Sequence, residues 1–302
     1  MKLTNVRGEV RVNEPMSGHT SFRIGGPADA LVMPADRDDL IALLAEVRTQ
    51  GVPYVVLGGG TNLLVRDGGF RGVVISLKQM AAIEVVREYR SLGGSFAELR
   101  VDAGAALARL LSFSVERGLT GVEFSTGIPG TVGGAICMNA GTAMGEFGDI
   151  VDTVTLLAPS GDLVVRHRDE MGFGYRTANV PPGHIVLDAM VILRYGDAGK
   201  IKAQVKKLMD QRKARQPWGL PTAGSVFKNP LDEAAGKLIE AAGLKGHAAG
   251  GAQVSDKHAN FIVNTGNAKA ADVLVLMETV RGKVLERHRI RLEPEIKIIG
   301  ED

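Results

Sequence analysis

The sequence has only one cysteine, Cys137, and this scarcity excludes two kinds of chemistry. A single cysteine forms neither an intramolecular disulfide nor a thiolate metal cluster. Cys137 lies in the segment GGAICMNAG among small apolar residues, which is typical of a small buried hydrophobic side chain. The six histidines show no zinc-binding spacing, so we expect no protein-ligated metal.

Long apolar runs and a strong net charge are also missing. No segment approaches the roughly 20 apolar residues of a membrane span, and the N-terminal MKLTNVRGEV lacks the apolar core of a secretory signal. We therefore expect a cytoplasmic protein with no membrane partner. The net charge of +2 gives no footprint for nucleic acid, but a mildly basic surface suits an anionic small molecule.

Glycine is abundant, with 39 residues clustered in a few loops. The stretch LGGGTNLLV, residues 57–65, follows an apolar strand-like run. It lacks the Lys-Ser/Thr ending of a P-loop, and the run after Gly60, TNLLVRDGGF, is not typical of the helix that a Rossmann fingerprint opens. This loop alone is either a plain turn or a phosphate cradle of another architecture.

A second glycine-rich region, STGIPGTVGGAICMNAG at residues 125–141, favours the phosphate cradle over the plain turn. A dinucleotide needs several backbone N–H groups near its pyrophosphate, and glycine allows that approach without a side-chain clash. The two regions together, without a magnesium-binding Lys-Ser/Thr, favour a flavin or nicotinamide dinucleotide over a triphosphate.

The spacing of apolar residues predicts an α+β chain in three blocks, at about 20–80, 85–195 and 200–302. A hairpin is predicted over 151–171, with its turn at 159–161. The final strand should place Leu292, Ile296 and Ile298 on one face. Helices are predicted over 36–51, 106–119, 197–216, 232–243 and 269–290, and further strands over 52–57, 72–77, 97–105, 184–196, 260–266 and 291–300.

Three residues outside the glycine loops carry candidate chemistry, and each has a plain structural alternative. Arg176 follows Tyr175 and is typical of a surface arginine anchored by its stem. Ser225, in AGSVFKNP, suits either a presented hydroxyl or a turn serine. No G-x-S-x-G motif supports a hydrolase triad. Glu295 suits an exposed carboxylate on a strand.

The motifs, in this order, resemble the UDP-N-acetylenolpyruvoylglucosamine reductase family over nearly the whole chain. They are NEPMSGHTSFRIGGPA, LGGGTNLLV, GIPGTVGGAICMNAG, GYRTA, QPWGLPTAGSVFKNP, AQVSDKHANFIVN and LEPEIKIIG. The resemblance implies a two-part FAD-binding fold of the vanillyl-alcohol oxidase/p-cresol methylhydroxylase type plus a C-terminal α+β substrate-binding domain. The expected domains are 1–82 and 83–197, both FAD-binding, and 198–302. The YRTA segment, without an inserted tyrosine-bearing lid loop, resembles the shorter subtype.

The resemblance also implies a set of site residues. Arg176 would stabilise a developing enolate, Glu295 would polarise it, and Ser225 would protonate the α-carbon. Tyr175, Arg215, Lys228 and Asn229 would bind substrate. FAD, held non-covalently, would contact Leu57, Gly58, Gly59, Gly60, Thr61, Asn62, Leu63, Ser125, Gly127, Ile128, Pro129, Gly130, Gly133, Gly134, Ala135, Asn139, Ala140 and Gly141.

The implied activity is the NADPH-dependent reduction of UDP-N-acetylglucosamine enolpyruvate to UDP-N-acetylmuramate. This reaction belongs to peptidoglycan precursor synthesis, and thus to cell-wall formation, cell shape and division. We expect a monomer or a weak oligomer. Two alternatives stay open: a flavin-dependent sugar or lactone oxidase of the same fold, and a non-catalytic FAD-binding module.

Overall fold

A computed structural model describes residues 2–302 of the chain. The chain divides into two compact units, each built from separate stretches. The first comprises the residues up to Val10, Leu31–Gly58 and Val73–Asp210, and the second comprises Arg11–Ala30, Gly59–Gly72 and Gln211–Asp302. The division into three successive domains, with boundaries after residues 82 and 197, stays a prediction.

The chain contains both helices and strands in an irregular order, which is consistent with the α+β class. The α-helices are α1 (Arg37–Thr49), α2 (Leu107–Glu116), α3 (Val132–Cys137), α4 (Ala198–Arg215), α5 (Ala235–Ala241) and α6 (Ala270–His288). The strands are β1 (Glu9–Pro15), β2 (Pro27–Met33), β3 (Tyr54–Leu57), β4 (Leu63–Val65), β5 (Phe70–Ser76), β6 (Ile83–Ser91), β7 (Gly94–Asp102), β8 (Leu119–Thr120), β9 (Gly141–Thr142), β10 (Gly145–Glu146), β11 (Val151–Leu157), β12 (Leu163–His167), β13 (Ile185–Tyr195), β14 (Ala248–Ala249), β15 (Ala252–Val254), β16 (Ile262–Asn264) and β17 (Lys297–Ile299).

Helix α1 forms as its sequence predicts. Its apolar positions Leu40, Leu43 and Val47 are buried, and the Asp36 side chain accepts the N–H of Asp39 at the N-terminus. The helix leads into β3, which pairs in parallel with β5 from Tyr54 opposite Val73 to Leu57 opposite Ser76. These strands belong to a four-stranded sheet in the order β1-β2-β5-β3.

The predicted hairpin over 151–171 is confirmed as β11 and β12, which pair antiparallel. They lie at one edge of a six-stranded sheet in the order β12-β11-β13-β7-β6, with β8 also pairing with β13. The long strand β13 is buried along most of its length, and strands pair with both of its edges. Strand β6 was not predicted, since its residues are mostly polar and exposed.

The second unit has its own apolar core, to which widely separated segments contribute. Phe22, Leu64 and Phe227 pack there with the buried face of α6, represented by Leu276 and Val280. Strands β14, β15 and β16 form a small antiparallel sheet, and β17 pairs in parallel with β4. The core fixes the short segments that carry Ser225 and Glu295.

The clearest differences between prediction and structure lie in the final strand and in the second glycine-rich region. The final strand is shorter than 291–300, since only Lys297–Ile299 is regular and Pro294 has no N–H to continue a ladder. Leu292 and Ile296 are nevertheless buried. The glycine-rich region 125–141 contains α3, a helix that its glycine content had hidden.

Candidate functional site

The first glycine-rich loop follows β3 and contains a residue that only glycine can occupy. Gly60 has φ +64°, and an added Cβ would lie 2.0 Å from the carbonyl oxygen of His19. The Gly60 carbonyl accepts the N–H of Ser21 at 3.0 Å. The run after Gly60 forms β4 rather than a helix, as predicted, so the loop is not a Rossmann turn.

The two glycine-rich regions meet at Gly58. A Cβ added to Gly58 would lie 2.8 Å from Thr131 Oγ1 and 3.8 Å from the Cα of Gly134. Gly58 follows Leu57 at the end of β3, whereas Thr131 precedes α3. The structure therefore brings together the two segments that the sequence pairs only by composition.

Two adjacent glycines of α3 have different surroundings. Gly133 is buried, and its added Cβ would lie 2.8 Å from the Cβ of Ala103, so it serves helix packing. Gly134 is exposed, and its added Cβ would meet only Thr131 Oγ1 at an ordinary 3.7 Å. The protein itself leaves room for a side chain at Gly134. This bare backbone fits a cofactor phosphate group that needs close main-chain approach.

The loop before α3 uses its polar side chains internally. Ser125 is buried, and its hydroxyl donates to the carbonyl of Val122 at 2.8 Å. Gly127 and Gly130 have φ +70° and +129°, values that favour glycine. The carbonyl of Gly130 accepts the N–H of Leu107, the first residue of α2. This anchored loop presents main chain rather than side chains, which fits the same group.

Asn139 connects the end of the second glycine region to the turn that carries Arg176. Asn139 is fully buried with φ +40°. Its Nδ2 donates to the carbonyl of Gly174 at 3.1 Å, and its Oδ1 accepts the N–H of Gly148 at 2.9 Å. The side chain predicted to bind cofactor is thus engaged at both ends within the protein.

Arg176 lies in a two-residue hairpin turn with an uncommon backbone conformation. Gly174 and Thr177 exchange both backbone hydrogen bonds at 3.1 Å, which leaves Tyr175 and Arg176 at the tip. Arg176 has φ +58°, a left-handed backbone conformation that is disfavoured for residues other than glycine. Its guanidinium lies 5.1 Å from the Tyr175 ring centre and 3.5 Å from the Gly141 carbonyl. Strained backbone of this kind is frequent at functional sites.

The second unit brings Ser225 and Glu295 onto neighbouring segments. The N–H of Glu295 donates to the carbonyl of Val226, the residue after Ser225, at 2.7 Å. The Lys228 N–H donates to the carbonyl of Glu293 at 2.9 Å. Both Ser225 and Glu295 are partly exposed. A hydroxyl donor and a carboxylate on paired segments suit proton transfer to a bound molecule.

The residues predicted to bind substrate have varied environments. Lys228 Nζ lies 3.7 Å from the Glu293 carboxylate. Asn229 Oδ1 accepts the N–H of Ala235 at 3.0 Å, at the start of α5. Arg215 is exposed at the end of α4, and Tyr175 is half exposed. Arg176 and Tyr175 belong to the first unit, and Arg215, Ser225, Lys228, Asn229 and Glu295 to the second.

Two residues beside the site were missed individually, although motifs contain them. Thr131 faces Gly58 across the glycine regions. His258 lies in AQVSDKHANFIVN, where its Nδ1 accepts the N–H of Asn260 at 3.3 Å and its ring packs 4.8 Å from Phe261. Burial lowers the pKa of His258, which favours the neutral ring that this acceptor role needs.

Comparison with known proteins identifies the relatives of this chain. Residues 28–166 match the FAD binding domain model, and residues 216–299 match the model of the UDP-N-acetylenolpyruvoylglucosamine reductase C-terminal domain. The chain is 47% identical over 297 residues to the UDP-N-acetylenolpyruvoylglucosamine reductase of Geotalea uraniireducens, covering 98% of this chain and 96% of that protein. The chain belongs to the UDP-N-acetylenolpyruvoylglucosamine reductase family.

Two further reductases are similar to this chain over nearly its whole length. The reductase of Caldanaerobacter subterraneus is 45% identical, with 97% of this chain and 95% of that protein covered. The crystal structure of the Thermus caldophilus reductase superposes with a TM-score of 0.80 at 36% identity, covering 97% of this chain and 98% of that one. The predicted family, and the α+β fold with FAD-binding and reductase C-terminal domains, are confirmed.

For residues 2–302, the requirements of a metal site and of a membrane span concern two features only: the acidic and metal-ligating side chains, and the apolar helices. Within that range, no three His, Cys, Asp or Glu side chains cluster in a way that suits a metal ion. Nor does any helix among the described residues have the length and apolar character needed to cross a membrane.

Proposed function

We propose that this protein uses NADPH and bound FAD to reduce UDP-N-acetylglucosamine enolpyruvate to UDP-N-acetylmuramate, in the cytoplasmic synthesis of peptidoglycan precursors. The observation that carries the proposal is the near full-length similarity to reductases of this name. The glycine-rich regions meeting at Gly58 are consistent with a dinucleotide cofactor. Through this reaction the protein would serve cell-wall formation, and hence cell shape and division.

FAD, when bound, supplies a two-electron carrier between NADPH and the sugar nucleotide. The exposed backbone at Gly134 and the main chain of residues 58–62 and 125–141 would hold its pyrophosphate by N–H groups. No side-chain tether is required in this arrangement, and we propose that the cofactor is held non-covalently. The three-domain division, with FAD bound by residues 1–197 and substrate by 198–302, is part of the same proposal.

Three side chains would perform the chemistry on the substrate. Addition of hydride to the β-carbon of the enol ether leaves negative charge on the α-carbon and its carboxylate. Arg176 would stabilise that charge electrostatically, and Glu295 would polarise the intermediate and orient the donor. Ser225 Oγ–H would give its proton to the α-carbon, because an enolate is basic enough to accept a proton from an alcohol.

The remaining predicted residues would bind the substrate. Lys228, Arg215 and Tyr175 would contact the nucleotide or its phosphates, as an anionic substrate requires, and Asn229 would bind the substrate. Lys228 has the Glu293 carboxylate nearby, and Asn229 Oδ1 accepts the N–H of Ala235 at the start of α5. We further propose a monomer or weak oligomer as the active form.

The test is a pair of anaerobic absorbance spectra of the purified yellow protein. NADPH should bleach the flavin band, and UDP-N-acetylglucosamine enolpyruvate should then restore it. Heat or acid denaturation should release all the flavin into the supernatant. Recolouring by oxygen but not by the enol ether would favour a sugar or lactone oxidase. A flavin that NADPH does not bleach would favour a non-catalytic FAD-binding module.

A further inference from the structure

The segment that carries Ser225 is held on two sides by backbone hydrogen bonds. On one side, the N–H of Glu295 donates to the carbonyl of Val226 at 2.7 Å. On the other, the N–H of Val226 donates to the carbonyl of Asn260 at 2.8 Å. Both hydrogen-bonding groups of Val226 are therefore engaged, and its position sets the spacing between Ser225 and Glu295.

The next residue, Phe227, depends on a side chain. Asn260 Oδ1 accepts the N–H of Phe227 at 3.0 Å, and Asn260 Nδ2 donates to the carbonyl of Phe227 at 2.8 Å. Asn260 thus takes the place of a neighbouring strand, with one side chain satisfying both backbone groups. Phe227 is 1% exposed and Asn260 is 4% exposed, so water does not replace either bond.

The backbone of Asn260 is held in turn by His258. Its N–H donates to His258 Nδ1 at 3.3 Å, and the His258 ring packs against Phe261. The Asn260 carboxamide has both an acceptor and a donor, and its two hydrogen bonds to the backbone of Phe227 use one of each. An aspartate of the same shape has no donor for the Phe227 carbonyl.

From this geometry we infer that Asn260 is a positioning residue for the second half-reaction, in which the enolpyruvyl substrate is reduced and the flavin is reoxidised. It holds the segment 226–227 so that Ser225 stays in reach of the substrate carbon beside Glu295. The inference rests on the proposed function and adds to it a residue that does not itself touch substrate. Asn260 acts through Ser225, because it clamps the two residues that follow the serine.

The test uses the holoenzyme and measures the two half-reactions separately by stopped-flow absorbance. Asn260→Ala should slow recolouring by the enolpyruvyl substrate about 10–100-fold, the cost typical of a misplaced reacting group. The effect should appear in kcat rather than in the KM for that substrate. Bleaching by NADPH should stay within about twofold, since no proton reaches a substrate carbon in that step.

Asn264→Ala is the matched control. Asn264 is also buried, and its carboxamide bonds the Phe22 carbonyl at 3.0 Å and the N–H of Gly266 at 2.8 Å, away from residues 225–228. This variant should lose comparable thermal stability but keep both half-reactions in their original ratio. If Asn260→Ala fails to fold, Asn260→Asp, which keeps the size and the acceptor, replaces it.

The double variant Ser225→Ala/Asn260→Ala tests whether Asn260 acts through Ser225. If Asn260 acts through Ser225, the double variant is no slower than Ser225→Ala alone, because coupled residues are non-additive. A loss equal to the product of the two single losses would overturn the inference, and so would equal slowing of both half-reactions. Failure of the unchanged enzyme to recolour would instead reject the proposed function.

Discussion

Asn62 Nδ2 donates a hydrogen bond of 3.1 Å to the backbone carbonyl of Glu295. The carbonyl of Asn62 accepts the N–H of Lys297 at 3.0 Å. Asn62 is therefore hydrogen-bonded to the residues before and after Ile296. The loop predicted to hold the cofactor is thereby joined to the segment predicted to carry a catalytic carboxylate.

Replacing Asn62 by aspartate removes this donor with almost no change in size. We expect a loss of about 1 kcal/mol in the free energy of unfolding, and about tenfold slower recolouring by the enolpyruvyl substrate as Glu295 shifts. Urea denaturation and stopped-flow absorbance measure the two effects. Recolouring at the original rate would show that Asn62 does not position Glu295.

Gly134→Ala separates cofactor binding from folding. The added methyl group meets only Thr131 Oγ1 at 3.7 Å, and alanine is favoured over glycine in a helix by about 0.5–1 kcal/mol, so the apoprotein should be as stable or more so. A methyl group against the pyrophosphate should weaken FAD binding by about 1–3 kcal/mol, or roughly 5–150-fold in Kd. Fluorescence titration of the apoprotein with FAD gives the affinity.

Gly282→Ala is the matched control for that variant. Gly282 is also a helical glycine, in α6, and nothing lies within 4 Å of its added Cβ. It should gain similar stability and keep the original FAD affinity. Unchanged FAD affinity in Gly134→Ala would reject Gly134 as part of the cofactor cradle.

Ser225→Ala should separate the two half-reactions. Bleaching by NADPH should be nearly unchanged, whereas recolouring by the enolpyruvyl substrate should fall by about 10²–10⁴-fold, the usual cost of losing a general acid. Stopped-flow absorbance under nitrogen measures both rates. Small and equal losses in both steps would mean that Ser225 only stabilises its loop.

Arg176 offers a test of backbone strain against function. Arg176→Ala and Arg176→Gly both lose the guanidinium, so recolouring should fall at least about 100-fold in each. Glycine accepts φ +58° freely, and the glycine variant should therefore be more stable than the alanine variant by about 1 kcal/mol. Equal melting temperatures of the two variants would contradict the strained conformation.

Asp39 should make the stability of the first unit sensitive to acid. Burial alone would raise the pKa of Asp39, but the N–H groups of Arg7, Ala35 and Gly8, each at 2.8 Å, together lower it. A carboxyl group with a lowered folded-state pKa contributes stability above its unfolded pKa of about 3.9, and that stability is lost as the pH falls through the folded value.

Asp39→Asn should therefore cost about 2 kcal/mol at pH 7. The difference from the unchanged protein should shrink as the pH falls below about 4. Thermal unfolding of both proteins between pH 3 and pH 7 measures it. A difference that stays constant over this range would show that the Asp39 carboxylate has no lowered pKa.

The sequence by itself determined the family, the α+β class and most regular elements. Helix α1 and the β11–β12 hairpin have clear periodicity and clear ends at Asp36 and at residues 159–161, so local rules were sufficient. The two glycine loops together predicted a dinucleotide cofactor, because they offer several main-chain N–H groups without side-chain clashes. The roles proposed for Ser225 and Glu295 rest only on the family resemblance, since each residue alone is an ordinary loop or strand residue.

Only the tertiary structure decided which residues meet. The contact of Gly58 with Thr131, the bond from Asn139 to Gly174, and the bonds of Asn260 to Phe227 all join distant segments. The helix α3 and the strained turn at Arg176 were equally hidden, because packing overrode local propensity there. Periodicity records which face of an element is buried, but the partner of a buried amide depends on how the whole chain packs.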